Sequence, residues 1–250
     1  MKEKKSEKEE IVIRLKNISK IYEMGDEVKV RAVDGLSMTI KRGEFIAIMG
    51  PSGSGKSTCM NMVGSLDIPT YGTIYLDEED ISQFAESELA QMRGKKIGFI
   101  FQSFNLVPNL TTKGNVMLPM IFQGRSREER EAKAEELLTK VDLGDRMDHY
   151  PNQLSGGQRQ RVAIARSLAN DPEVILADEP TGNLDTNTGK MVLEFLDKLN
   201  SEGKTVIMVT HDAELARKHA DVVYWLRDGK LEKVTHRKQK RKEQNKKRGK

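Results

Sequence analysis

Phe45-Ile-Ala-Ile-Met49 runs directly into Gly50-Pro51-Ser52-Gly53-Ser54-Gly55-Lys56-Ser57-Thr58. Five apolar residues, a glycine-rich turn and a Lys-Ser pair read as a strand, a phosphate-binding loop of the form G-x-x-x-x-G-K-S, and a helix over 56–66. The glycines let successive backbone N–H groups turn inward around an anion. The helix N-terminus adds its partial positive charge. Lys56 is expected to reach the β- and γ-phosphates of a nucleotide, and Ser57 to ligate Mg²⁺.

Segments like 45–49 recur along the chain. Residues 97–101, 174–177 and 205–209 are almost purely apolar, as in a parallel sheet buried on both faces. Residues 11–18 and 33–40 alternate, as in a half-exposed antiparallel sheet. Helical patterns lie between the strands. Ser126-Arg-Glu-Glu129 fits a capping box and opens a run with Ala134, Leu137, Leu138 and Val141. Residues 158–169 and 188–199 also carry apolar side chains at helical spacing. Alternating strand and helix place the chain in the α/β class. The stretch from about 103 to 170 is mostly helical and predicts an inserted helical subdomain. Asp228-Gly229, between 222–226 and 231–234, predicts a two-residue hairpin.

A chain of 250 residues is long enough to bury a large core without disulfides or structural metal. Its single Cys59 excludes an internal disulfide. One turn past the loop, that thiol reads as a helix packing residue that could sensitise the site to thiol reagents. No apolar run approaches the ~18 residues of a membrane span. The N-terminus MKEKKSEKEE is charged where a signal peptide would be apolar, so the chain is expected in the cytoplasm. The formal charge of +4 is uneven. Residues 233–250 hold ten Lys/Arg and one Glu, and residues 1–10 are balanced, which leaves the body at 11–232 mildly acidic. The segments at 1–10 and 233–250 read as a charged extension and a disordered basic tail. The tail suits solvent, anionic lipid or nucleic acid.

Two further motifs carry chemistry. Val174-Ile-Leu-Ala-Asp178-Glu179 is an apolar strand ending in two acids, delivered to the ligand edge of an open α/β sheet. Asp178 is expected to hold Mg²⁺, and Glu179 to orient and polarise an attacking water. Leu154-Ser155-Gly156-Gly157-Gln158 opens a helix and forms a second anion-binding N-terminus, with Ser155 as an extra donor. One nucleotide has little need of two such sites from the same chain.

With LSGGQ the chain resembles the ATP-binding subunits of ABC transporters. The resemblance covers about residues 11–232 and implies a P-loop NTPase: a mixed sheet core, an antiparallel β subdomain and an inserted helical subdomain. It implies a homodimer closed head to tail around two Mg-ATP, so that Ser155, Gly156, Gly157 and Gln158 of one copy meet the γ-phosphate held by the other. Gln102 resembles the glutamine that touches Mg²⁺ and the water. Asp185, in Thr181-Gly-Asn-Leu-Asp185, resembles the D-loop at the dimer interface. His211 resembles the switch histidine on the γ-phosphate, and Tyr22 the aromatic that stacks on adenine. The segments at 102–110 and 115–119 are similar to the branch of lipoprotein-release (LolD), macrolide-export (MacB) and cell-division (FtsE) ATPases. The implied partner is a separate membrane permease, with the ATPase at the cytoplasmic face. The alternatives are a soluble relative acting on nucleic acid or ribosomes, and a mechanical output in cell division. A single ATP domain with a short insert weighs against nucleic acid.

Overall fold

The computed structural model describes residues 11–24 and 28–237. Strands β1 (Ile11–Met24), β2 (Val28–Lys41), β4 (Tyr71–Leu76) and β5 (Glu79–Asp80) form an antiparallel sheet in the order β2-β1-β4-β5. A second sheet holds β3 (Phe45–Met49), β6 (Ile97–Ile100), β7 (Val174–Asp178), β8 (Thr205–Thr210), β9 (Val222–Arg227) and β10 (Lys230–His236). Its order is β10-β9-β3-β8-β7-β6, parallel except for the β9–β10 hairpin. The helices are α1 (Lys56–Val63), α2 (Glu86–Lys96), α3 (Thr112–Phe122), α4 (Arg127–Lys140), α5 (Gly156–Ser167), α6 (Thr186–Ser201) and α7 (Ala213–His219).

All five residues of β3 are buried because each of its faces meets a different core. Phe45, Ala47 and Met49 join a cluster that runs through α3 to α6. Ile46 and Ile48 face α1 and the antiparallel sheet, meeting residues such as Cys59, Met62, Leu15 and Ile40. This two-sided burial is why the strand shows no alternation of polar and apolar residues.

The predicted capping box is present: Ser126 Oγ accepts from Glu129 N at 3.2 Å, and Ser126 N donates to Glu129 Oε2 at 2.8 Å. The stretch expected to be helical at 103–170 contains α3, α4 and α5, which pack on one another. Helix α1 ends at Val63, short of the expected 66, where the chain turns through Gly64 and Ser65 at φ +54°. Helices α2 and α7 and strands β4 and β5 were not foreseen.

Among the tail residues, Lys233–His236 pair with β9, so the strand runs past the expected boundary at 232. Lys233 Nζ lies 4.5 Å from the centre of the Trp225 ring, which gives a basic residue a place on an edge strand. Residues 1–10 and 238–250, where the charged extension and the rest of the basic tail were expected, lie outside the described residues.

Candidate functional site: a phosphate-binding cleft at the sheet edge

The loop between β3 and α1 depends on two close approaches. A Cβ at Gly50 would lie 2.2 Å from the Leu226 carbonyl oxygen and 2.4 Å from Ser54 Oγ. Gly55 holds φ +92°, and a Cβ there would lie 2.3 Å from the Ala32 carbonyl. The loop is thus pressed against both sheets, and only glycine fits. Lys56 Nζ arches back to donate to the Gly50 and Pro51 carbonyls, each at 2.8 Å.

The loop borders a cleft of about 870 Å³. Ser52, Gly53, Gly55, Lys56, Ser57 and Thr58 line one side. Gln102, Asp178, Glu179 and His211 line the other. These four follow or end β6, β7 and β8, neighbouring parallel strands whose C-terminal ends share one edge. Burial, then the neighbouring Glu179, pushes the Asp178 carboxyl above its ordinary range, and Lys56 opposes the shift. Glu179 Oε1 and His211 Nδ1 lie 2.8 Å apart. Glu179 holds φ +40°, and its N–H donates to the Val209 carbonyl at 2.9 Å. The Gln102 carbonyl accepts from Asn183 Nδ2 at 2.9 Å, which places the segment before Asp185 against it.

Other expected residues lie elsewhere. Ser155 caps α5: its Oγ accepts from Gln158 N at 3.2 Å, and Gln158 Oε1 accepts from Ser155 N at 2.9 Å. The hydroxyl hydrogen stays free to donate outward. A Cβ at Gly157 would lie 2.7 Å from Thr188 Cγ2, so α5 starts against α6. None of Ser155, Gly156, Gly157 and Gln158 lines the cleft. Asp185 caps α6, accepting from Asn187 N and Thr188 N at 3.1 and 3.0 Å, and its pKa is lowered first by the bond from the Thr188 hydroxyl and then by these backbone bonds. Tyr22 is 36% exposed and does not line the cleft. Its hydroxyl donates to Asp67 Oδ2 at 2.9 Å, and Thr58 is also a neighbour.

The structure adds residues that sequence reasoning missed. Arg31 and Ala32 of β2, with Asp228 and Gly229 of the hairpin turn, complete the cleft wall. Gly229 N donates to the Ser54 carbonyl at 3.1 Å, and Asp34 N donates to the Gly229 carbonyl at 2.8 Å. The Asp-Gly turn was legible, but its place against the loop was not. Cys59 is fully buried and its thiol is pushed up to about 12, so the expected sensitivity to thiol reagents is corrected: the packing role stands and the reactive one does not.

Residues 33–182 match the family model described as ABC transporter. The chain belongs to the ABC transporter family. An uncharacterized ABC transporter ATP-binding protein of Thermotoga maritima is 53% identical over 226 residues, spanning 90% of this chain and 96% of that protein. The macrolide export ATP-binding/permease protein MacB of Brucella melitensis is 49% identical over 220 residues, which are 88% of this chain but 34% of MacB. Among solved structures, a dimeric post-hydrolysis state of the ATP-binding cassette MJ0796 bound to ADP and Pi superposes with a TM-score of 0.84 at 48% identity. That match covers 90% of this chain and 99% of the other. This ABC cassette is an ATP-binding ATPase, of the P-loop architecture and the branch that its motifs resemble.

Proposed function

We propose that two copies of this cassette close head to tail around two Mg-ATP and drive a separate membrane permease, for export or extraction of a lipoprotein, peptide or drug. One observation carries the reading. The cleft gathers groups for phosphate, cation and water, yet the second anion-binding helix start, at Ser155, lies outside it. A second copy would bring that helix start to the open side of the cleft. The dimeric MJ0796 structures and the name of MacB, which joins ATP-binding and permease parts, support the same assembly.

Within the cleft, Lys56 is to reach the β- and γ-phosphates, while the loop amides of residues 50–58 surround them. Ser57, Gln102 and Asp178 offer a hydroxyl, an amide oxygen and a carboxylate, the hard oxygen donors that suit Mg²⁺ alongside phosphate oxygens. When bound, Mg²⁺ would offset the charge of the phosphate oxygens. Glu179 orients and polarises the water, and His211, 2.8 Å away, orients Glu179 and reaches the γ-phosphate. Tyr22 stands beyond the loop, where it would stack on adenine. Asp185 would meet the second copy.

No helix among the described residues is long and apolar enough to cross a membrane. The membrane-spanning part of the assembly is assigned to the permease. Phe122 is 68% exposed at the end of α3, near a groove of about 320 Å³ lined by Leu66, Phe101 and Pro119. This is the surface through which the helical insert would pass motion on. The basic tail at 233–250 is offered to anionic lipid at the cytoplasmic face, with plain solvation as the alternative.

The test is Glu179→Gln. It is expected to bind ATP, hydrolyse little and elute as a dimer with Mg-ATP. Turnover at the parent rate would overturn the role of Glu179. A monomer at saturating ATP would overturn the assembly.

A further inference from the structure

We propose that Gln160 is a positioning residue for hydrolysis, linking the helix that starts at Ser155 to the backbone that carries Glu179. The inference rests on the reading of Glu179 given above. Gln160, on α5, has no exposed surface. Its Nε2 donates to the Pro180 carbonyl at 3.0 Å, across to the chain just past β7. Its Oε1 is buried without a hydrogen-bond partner. A buried carboxamide whose Oε1 has no partner carries a desolvation cost. Such local costs cluster where function requires them.

The accepting carbonyl belongs to the residue after Glu179. Glu179 at φ +40° is in a conformation that non-glycine residues adopt at a cost and keep only when neighbours hold them there. Its N–H is held by Val209, and its carbonyl accepts from Gly182 N at 3.0 Å to close the turn. The proline ring fixes φ at Pro180, which leaves ψ as the one soft dihedral between the Glu179–Pro180 peptide and the Pro180 carbonyl. Gln160 takes hold of that carbonyl from a different element. It lies five positions after Ser155, less than two helical turns. A shift of α5 on meeting the γ-phosphate of a second copy would therefore pull on the peptide that sets Glu179. Each chain would link the ATP bound across the interface to the acid acting on its own.

The experiment uses the full chain with Gln160→Met, which keeps an unbranched helix-forming side chain and removes the donor. The expected result is kcat lower by about tenfold, with KM and the affinity for a fluorescent ATP analogue unchanged and Tm lower by a few degrees, because the Pro180 carbonyl loses its donor. Added to Glu179→Gln, it should cause no further loss of the residual rate and should leave the ATP-trapped dimer intact. Should the Met variant unfold early, Gln160→Asn, which draws the amide back by one methylene, is put through the same cycle. A parent kcat in the Gln160 variant while Glu179→Gln is inactive overturns this inference alone. An equal loss in both Glu179 backgrounds also overturns it, since that marks a packing role. Parent turnover by Glu179→Gln would instead remove the reading beneath it.

Discussion

Glu179 and His211 form a pair at the open end of the parallel sheet, 2.8 Å apart, yet they come from different strands. The contact lets the imidazole fix the carboxylate, so His211→Ala should lower kcat far more than ATP affinity, by about 100-fold or more. Steady-state kinetics beside equilibrium nucleotide binding would check this. Lys56 contrasts with them, since in the proposed mechanism its ammonium would serve the phosphates directly. Lys56→Ala should lose nucleotide affinity itself, measured by titration of a fluorescent ATP analogue. Cys59 gives a sign that can be worked out. Burial raises its folded-state pKa to about 12, so the folded chain keeps the thiol neutral while the unfolded chain ionises it from about pH 9 upward. The associated stability is complete below pH 9 and is lost as pH rises towards 12. Stability measured from pH 9 to 11 should fall more steeply in the parent than in Cys59→Ala, by at most about 1.4 kcal/mol per pH unit. Native Cys59 should resist a thiol reagent that labels it at once in denaturant.

Short elements with local signals were legible in the sequence. The Ser126 capping box reports its own geometry, because both partners lie within one turn. Ser126→Ala should cost about 1 kcal/mol in denaturant unfolding and leave kcat alone, since the cap is exposed and outside the cleft. The β9–β10 hairpin was legible from Asp228-Gly229, whose φ angles of +48° and +75° suit the turn. Its function was not. A Cβ at Gly229 would lie 2.9 Å from the Ala32 carbonyl, so Gly229→Ala should shift the turn that holds Ser54. The expected cost is about 1–3 kcal/mol of stability together with weaker ATP binding, read by unfolding and titration. Strand β4 and helix α2 were missed for different reasons. Tyr71–Leu76 begins with two exposed residues, Tyr71 and Gly72, so its apolar pattern is brief. Helix α2 buries little besides Leu89, which leaves almost no periodicity to read.

At the scale of the whole molecule, two cores share one sheet, and the cleft lies where that sheet, the loop and the antiparallel sheet meet. Ser155 belongs to the helical side and is absent from the cleft lining, so in the proposed assembly a second copy would complete the site. The rate per subunit should therefore rise with protein concentration and level off once the dimer predominates, as dilution series would show. The sequence by itself determined the phosphate loop, the two strand-end acids, the LSGGQ helix start and the α/β class. In each, the residues that matter are close together in the chain, and their types follow from local geometry. Only the tertiary structure decided that Gly229 abuts Ser54, that Tyr22 bonds Asp67 away from the cleft wall, that Cys59 is sealed in, and that Gln160 grips Pro180. Those are contacts between residues distant in the chain, set by how two sheets and a helical layer pack, and no local pattern encodes them.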